Sequence, residues 1–304
     1  MEYGSNRLKR FIQTHENLKH AIAGAGAGVA SSIVVVPLDV VKTRLQNQGK
    51  GKPGVLLYHG TTGTLSRIWK EEGIRGLYRG LGPTIFGYLP TWAIYFTAYD
   101  YCKAQWAKDL GMNGHEWLLH ILSAMTAGAA STSLTNPLWV IKTRFMTQND
   151  KTPYKYDNTL HAFKTIAREE GIRGFYKGLG SSLIGVSHVA VQFPLYEKLK
   201  SFFAQTDAAS GNTGILLASS LSKMAASTAT YPHEVIRTRL QNQTVKPFKY
   251  KGIIDAFKII LKEEGYRGFY KGMPTNLLRT VPSSALTILT YEVIVHRFDK
   301  LKNS

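Results

Sequence analysis

The chain repeats itself three times, and that periodicity constrains its fold more than any other feature. Glu-Glu-Gly occurs at Glu71-Glu72-Gly73, Glu169-Glu170-Gly171 and Glu263-Glu264-Gly265. Each copy opens the same frame, Gly-x-Arg-Gly-x-Tyr-base-Gly, ending at Gly80, Gly178 and Gly272. About 35 residues upstream lies a second shared block: Pro37-Leu-Asp-Val-Val-Lys-Thr-Arg44, Pro137-Leu-Trp-Val-Ile-Lys-Thr-Arg144 and Pro232-His-Glu-Val-Ile-Arg-Thr-Arg239. The three prolines stand 100 and 95 residues apart in a chain of 304, so each repeat is close to one third of it. Two motifs in fixed order, three times over, define a repeat architecture.

Each repeat carries two long apolar runs. Ala21–Leu38, Gly80–Tyr99, Ile121–Ile141 and Gly178–Tyr196 hold 18, 20, 21 and 19 residues without a charge. A bilayer core needs roughly 20 helical residues. The remaining two runs are interrupted once each, by Lys223 and by Arg279. The small residues of Gly24-Ala-Gly26-Ala-Gly28 suit close helix approach in lipid. A mean hydropathy of −0.14 excludes a protein greasy on all sides and leaves room for a wet interior.

Charge placement agrees. The net charge is +18, and the segments 42–79, 142–177 and 237–271 carry 8, 8 and 9 of the 38 Lys and Arg residues. The connectors 101–116 and 198–211 carry 2 each. Six spans put both termini on the sparse side, and the basic loops face the compartment favoured by the positive-inside rule. A nucleic-acid binder would need this charge on one soluble face beside stacking aromatics, not on loops flanking apolar spans. Residues 1–18 mix acids and bases and lack the apolar core of a secretory signal. The single cysteine, Cys102, excludes an intramolecular disulfide and a cysteine-based metal site. Gly24-Ala-Gly26-Ala-Gly28 lacks the third glycine of a dinucleotide loop, since Val29 stands there, and no strand precedes it. No Walker loop or nucleophile–base set is present, so no enzyme is expected.

The pattern Pro-x-acid-x-x-base-x-base, followed by acid-Gly-x4-aromatic-base-Gly, resembles the mitochondrial carrier family over nearly the whole chain. The resemblance implies an all-α membrane protein: three tandem repeats (17–110, 115–206 and 212–302) of two transmembrane helices plus a short matrix helix, in a pseudo-threefold six-helix barrel around a central cavity. It implies a monomer in the inner mitochondrial membrane, termini on the intermembrane-space side, working by alternating access without a cofactor or metal. It also implies an anionic lipid such as cardiolipin at the Gly80, Gly178 and Gly272 helix starts.

The resemblance assigns a matrix gate in which the acid of one repeat pairs with the first base of the next. The expected pairs are Asp39–Lys142 and Glu234–Lys42. Trp139 replaces the third acid and leaves Arg237 without its partner. Gln46 and Gln241 take the bracing position below the pairs, where repeat two has Met146. A cytoplasmic gate is expected from Tyr99-Asp100-x-x-Lys103 and Tyr196-Glu197-x-x-Lys200, with Tyr291-Glu292-x-x-Val295 lacking the base. Its pairs are Asp100–Lys200 and Glu292–Lys103, with Glu197 unpaired.

Because a small solute lacks threefold symmetry, cavity residues that break the symmetry are the cargo candidates. Counting back 13 residues from Asp100, Glu197 and Glu292 reaches Gly87, Ile184 and Arg279, the family's contact level. Gly185 follows Ile184. One turn further come Thr91, His188 and Ser283, then Trp92, and next Tyr95 and Gln192. Successive sets at i, i+4 and i+8 share one helix face. Arg279 is the leading candidate, because a charge at membrane depth costs at least about 2.5–3.5 kcal/mol and must face water. Its fork suits phosphate. Lys223 replaces Gly28 and Gly128 of the other repeats, and His188 offers a contact to phosphate or ribose. Cations beside Trp92, Tyr95 and Tyr88 favour an anionic cargo with a planar ring. Trp139, Gly87–Phe96, His188–Pro194 and Ser222–Glu234 are similar to the carriers of NAD+ within a branch that also moves pyrimidine nucleotides, FAD and folate. NAD+ is the expected cargo, with pyrimidine nucleotides, FAD or folate as alternatives.

Overall fold

The computed structural model describes residues 26–49, 58–109, 116–149, 152, 154–205 and 212–303, and within these it contains helices and no strands. Residues 21–25 of the first apolar run lie outside the described residues, as do parts of the loops between repeats. Repeat one contains α1 (Gly26–Asn47), α2 (Gly60–Leu77) and α3 (Leu81–Asp109). Repeat two contains α4 (Glu116–Thr147), α5 (Thr159–Glu169), the single turn α6 (Ile172–Phe175), α7 (Leu179–Val186) and α8 (His188–Ala204). Repeat three contains α9 (Asn212–Gln241), α10 (Ile253–Glu264), a 3-10 turn (Tyr266–Tyr270) and α11 (Met273–Asn303).

The spans form a ring. α3 packs on α4, α4 on α7 and α8, these on α9, and α9 on α11. The ring closes where Ser31 of α1 donates to the Ser283 carbonyl of α11 at 3.2 Å and where Lys42 reaches Asn276 at 2.8 Å. α4 and α9 remain helical through Pro137 and Pro232, as α3, α8 and α11 do through Pro90, Pro194 and Pro282.

The apolar core is divided into three equivalent clusters at the basic-loop end, each between the end of an odd span and its surface helix. Val40, Val41 and Ile68 anchor the first, Ile141, Phe145 and Ile166 the second, and Ile236, Leu240 and Ile260 the third. The surface helix begins cleanly in repeat two, where the Asn158 side chain accepts the His161 backbone N–H at 2.8 Å. The spans turn large apolar side chains outward: Leu89 is 74% exposed, Leu134 65% and Leu278 57%. Patches of this kind mark contact with lipid or protein rather than water.

By mean hydropathy, only Gly26–Asn47 among the described residues is apolar enough to qualify as a span on its own. Three of the other five are marked by uncharged length, and the last two, interrupted by Lys223 and Arg279, by their place in the repeat. Their Ser, Thr, Tyr and Gly residues lower the average because one face of each helix lines the interior.

Gly80, Gly178 and Gly272 connect the surface turn to the next span with φ of +94°, +76° and +83°. Only glycine adopts that region without strain. A Cβ there would also meet the neighbouring repeat, 2.7 Å from Met146 at Gly80, 3.0 Å from Gln241 at Gly178 and 2.9 Å from the Lys42 carbonyl at Gly272. These glycines are where one repeat is pinned against the next.

Candidate functional site

The charged residues of the proline motif converge at the basic-loop end. Lys42 lies 2.5 Å from Glu234, and Lys142 lies 3.6 Å from Asp39. Both pairs join neighbouring repeats and are only partly wet. Arg237 has no carboxylate within ion-pair distance among the described residues. Trp139 occupies the place of its acid, and Lys142 instead sits 4.9 Å over the Trp139 ring. The indole face is a weaker electrostatic partner than a carboxylate, so one of three latches is softened and the region keeps an excess of positive charge.

Beneath the pairs is a brace layer that repeats almost perfectly. Thr143 donates to Gln241 Oε1 at 2.7 Å, Thr238 to Gln46 Oε1 at 2.9 Å, and Thr43 to the Met146 sulfur at 3.6 Å. Gln46 also donates to Glu234 at 3.1 Å and Tyr231 at 2.9 Å, so it holds the gate acid in place. Lower still, Arg44, Arg144 and Arg239 each grip the second acid of the Glu-Glu-Gly motif with a two-pronged bond, to Glu72, Glu170 and Glu264. Each Nε donates at 3.0 Å to a carbonyl of the next repeat: Met146, Gln241 and Gln46. A second base completes each triad, Arg79, Lys177 or Lys271. Burial pushes the carboxyls of Glu170 and Glu264 up, but their paired bases prevail and hold both below the ordinary carboxylate range. The three motif arginines and their acids were quoted from the sequence as part of the repeat, yet no role was assigned to them.

Arg279 faces the interior. Its Nη1 lies 2.5 Å from Asp39 Oδ1, and Nη2 lies 3.5 Å from Asn276 Oδ1. Its Nε is buried without a partner. Asp39 is thus shared between Arg279 and Lys142. Lys223 has no acid within ion-pair distance among the described residues, and the charge acting on it is that of Arg279. Tyr88 packs edge-on to Trp139, ring centroids 5.9 Å apart, and lies beside Asp39, Arg279 and Ser32. Four cations (Lys42, Lys142, Arg237 and Arg279) therefore face two carboxylates beside the Tyr88 and Trp139 rings, while Lys223 is exposed further along α9 and adds its charge to that of Arg279. Such an excess, partly desolvated, attracts an anion strongly.

The other contact candidates divide. Gly87 lies against Trp139, 3.8 Å from where its Cβ would be. Gly185 and His188 border α9, while Ile184 is half exposed. Trp92, Tyr95 and Tyr99 form a run of ring contacts along α3. Gln192 is half-buried. Thr91 spends its hydroxyl on the Gly87 carbonyl, and Ser283 sits 3.3 Å from Ser31, where it fastens α11 to α1. Asn276 went unnoticed in the sequence, although it bonds both Lys42 and Arg279. Its equivalents one turn below the contact level are Thr84 and Ser181, so the symmetry-breaking criterion applied at that depth would have found it.

At the opposite end the expected pairs Asp100–Lys200 and Glu292–Lys103 are not formed. Asp100, Glu197, Lys200 and Glu292 are exposed, and no ion pair among the described residues links these positions. Lys200 lies 5.9 Å over the Tyr196 ring instead. One set of latches is closed and the other open, as alternating access requires, because a barrel closed at both ends would admit nothing.

The sequence profile described as mitochondrial carrier protein matches residues 13–110, 113–207 and 210–302. The chain belongs to the mitochondrial carrier family. Nicotinamide adenine dinucleotide transporter 1, chloroplastic, of Arabidopsis thaliana is 47% identical, over 92% of this chain and 92% of its own length. Mitochondrial nicotinamide adenine dinucleotide transporter 1 of Saccharomyces cerevisiae is 41% identical, over 98% of this chain and 82% of its own. Solute carrier family 25 member 33 of Homo sapiens is 35% identical over 93% and 96%. In this carrier the closed latches, the braces and the cationic floor lie at the motif end, and the open vestibule lies towards the termini.

Proposed function

We propose that this carrier moves NAD+ across the inner mitochondrial membrane by alternating access, exchanging it for another nucleotide. The observation that carries the reading is the excess of cations: Arg279, beside Tyr88, and Lys223 stand where the other repeats have no charge. A pyrophosphate supplies two negative charges for these cations, and adenine and nicotinamide supply flat rings for the aromatic wall. The similarity to dinucleotide transporters from a plant and a yeast supports the same reading.

The geometry suggests how cargo works the gate. Arg279 holds Asp39, one acid of the closed latch. A pyrophosphate that draws Arg279 and Lys142 to itself loosens both bonds to Asp39 at once. Partly wet pairs contribute only about 0–1 kcal/mol each, so a bound anion with differential contacts suffices to shift the balance between the two ends. Once the anion leaves, the latch re-forms. The carrier works as a monomer, with its termini towards the intermembrane space and the basic loops towards the matrix. Acidic headgroups such as those of cardiolipin dock at the helix starts after Gly80, Gly178 and Gly272, where free backbone N–H groups favour an anion.

Purified protein in liposomes tests the reading. Liposomes loaded with unlabelled nucleotide and given labelled NAD+ outside should accumulate label with saturation. Failure to accumulate NAD+, with strong uptake of cytidine or uridine nucleotides, would replace NAD+ by a pyrimidine nucleotide as the cargo.

A further inference from the structure

The even span of the second repeat is the one that breaks. α7 stops at Val186 and α8 starts at His188, with the Ser187 hydroxyl turned back on the Ile184 carbonyl at 2.7 Å. The equivalent positions in α3 and α11 are Pro90 and Pro282, yet those helices run on. The break falls at the contact level and creates a local asymmetry. Where repeat one has Tyr88, repeat two has Gly185. The space is taken by His233 of α9: a Cβ on Gly185 would lie 2.5 Å from His233 Nε2. In the other repeats the His233 position is Leu38 or Leu138.

The hydrogen bonds around these rings determine which nitrogens carry protons. His233 Nδ1 is bonded to the Thr230 carbonyl. A carbonyl only accepts, so Nδ1 carries the hydrogen and Nε2 of the neutral ring carries a lone pair. Thr230 gives its own hydroxyl hydrogen to the Ala226 carbonyl at 2.8 Å, leaving Oγ1 as an acceptor. His188 Nδ1, 3.3 Å from that oxygen, must then be the donor. Thr230 thus fixes both imidazoles in the same tautomer, and neither Nε2 has a partner among the described residues. Two acceptors therefore sit where α7, α8 and α9 meet at the contact level. Lone pairs repel phosphate oxygens, so His188 is better suited to a hydrogen-bond donor than to the phosphate the sequence suggested.

We propose that His233 and His188, held by Thr230, read an amino group of the cargo: the carboxamide N–H2 of nicotinamide or the 6-amino group of adenine. The inference rests on the nucleotide reading given above and adds the part of the nucleotide that is recognised. Both groups are donors attached to a flat ring, and both are lost in close analogues of equal size. An acceptor left without its donor, or faced with another acceptor, carries a large penalty.

Competition in proteoliposomes separates the two sources. Labelled NAD+ uptake is measured against unlabelled NAD+, nicotinic acid adenine dinucleotide (carboxylate for carboxamide) and nicotinamide hypoxanthine dinucleotide (carbonyl for amine). One analogue should compete at least about tenfold more weakly than NAD+, and which one it is names the ring. His233→Leu, the residue of the other two repeats, should weaken uptake of NAD+ itself and bring that ratio to within about twofold, with His188→Thr acting in the same direction. A packing role alone would alter thermal stability and leave the ratio unchanged. Equal competition by all three dinucleotides, or wild-type discrimination retained in His233→Leu, overturns the proposal. If the wild type carries no NAD+, the cargo reading fails separately. The amine reader is then tested by cytidine against uridine triphosphate, which differ by the same amine-to-carbonyl change, and equal uptake of these overturns it.

Discussion

The brace layer and the contact level differ in kind. In the brace layer the three repeats are interchangeable: Arg44, Arg144 and Arg239 make the same bonds to the same partners at nearly the same distances. At the contact level no two repeats agree, with Gly87, Ile184 and Arg279 at one position and Tyr88, Gly185 and Thr280 at the next. Residues that keep the symmetry hold the barrel together, and residues that break it face an asymmetric guest. Substitutions in the two layers should therefore separate stability from transport.

The largest expected effect is in the brace. Arg144 is fully buried, and Arg144→Ala leaves the Glu170 carboxylate with Lys177 alone. Removing one partner of a buried pair costs about 3–5 kcal/mol. The melting temperature in detergent should drop sharply, with transport lost because the fold is lost. Arg279→Ala is the counterpart. The Arg279 side chain is 29% exposed where that of Arg144 is 0%, and it holds no carbonyl of the next repeat, so the melting temperature should fall much less, while labelled NAD+ uptake falls by about 100-fold through loss of a charged two-pronged contact. Equal melting losses in the two variants would erase the distinction.

Much of this division was legible in the sequence. The two repeated motifs gave the number of spans, the surface helices and both pairs of the closed gate, because a latch between repeats needs fixed spacing. The hydroxyls of Thr91 and Ser283 bond a helix carbonyl and Ser31, a use that spacing alone does not reveal, because a hydroxyl at the correct height can as easily bond its own helix or the next one. Asn276 was missed because no motif letter covers it. His233 was noticed only as part of a short string, since its role depends on the absence of a side chain at Gly185, nearly fifty residues away.

A smaller effect follows from pH. Glu170 and Glu264 titrate below their ordinary value in the folded protein. Their contribution to stability is complete above the unfolded carboxyl value of about 4.5 and is lost as pH falls through the lower folded value. Melting temperature should be insensitive to this pair from pH 7 to about 5 and fall below that range. Glu170→Gln should lower the starting value and flatten the acid limb, and an unchanged acid limb would remove Glu170 from the brace.

The smallest effect concerns the softened latch. Trp139→Asp restores an acid opposite Arg237 and makes the motif end more symmetric. A third partly wet pair adds about 0–1 kcal/mol to the closed state. The melting temperature should rise slightly, and maximal exchange should slow by a few-fold because the closed latch is harder to open. Faster exchange would show that Trp139 is not the weak point.

The central claim is that cargo identity resides in departures from threefold symmetry. Its direct test is a carrier stripped of its two charged departures, Arg279→Ile with Lys223→Gly, which gives repeat three the residue of repeat two at the first position and that of both neighbours at the second. Measured in proteoliposomes beside the wild type, this variant should fold with nearly the same melting temperature and show no saturable uptake of labelled NAD+. Saturable uptake at wild-type affinity from this double variant would contradict the claim.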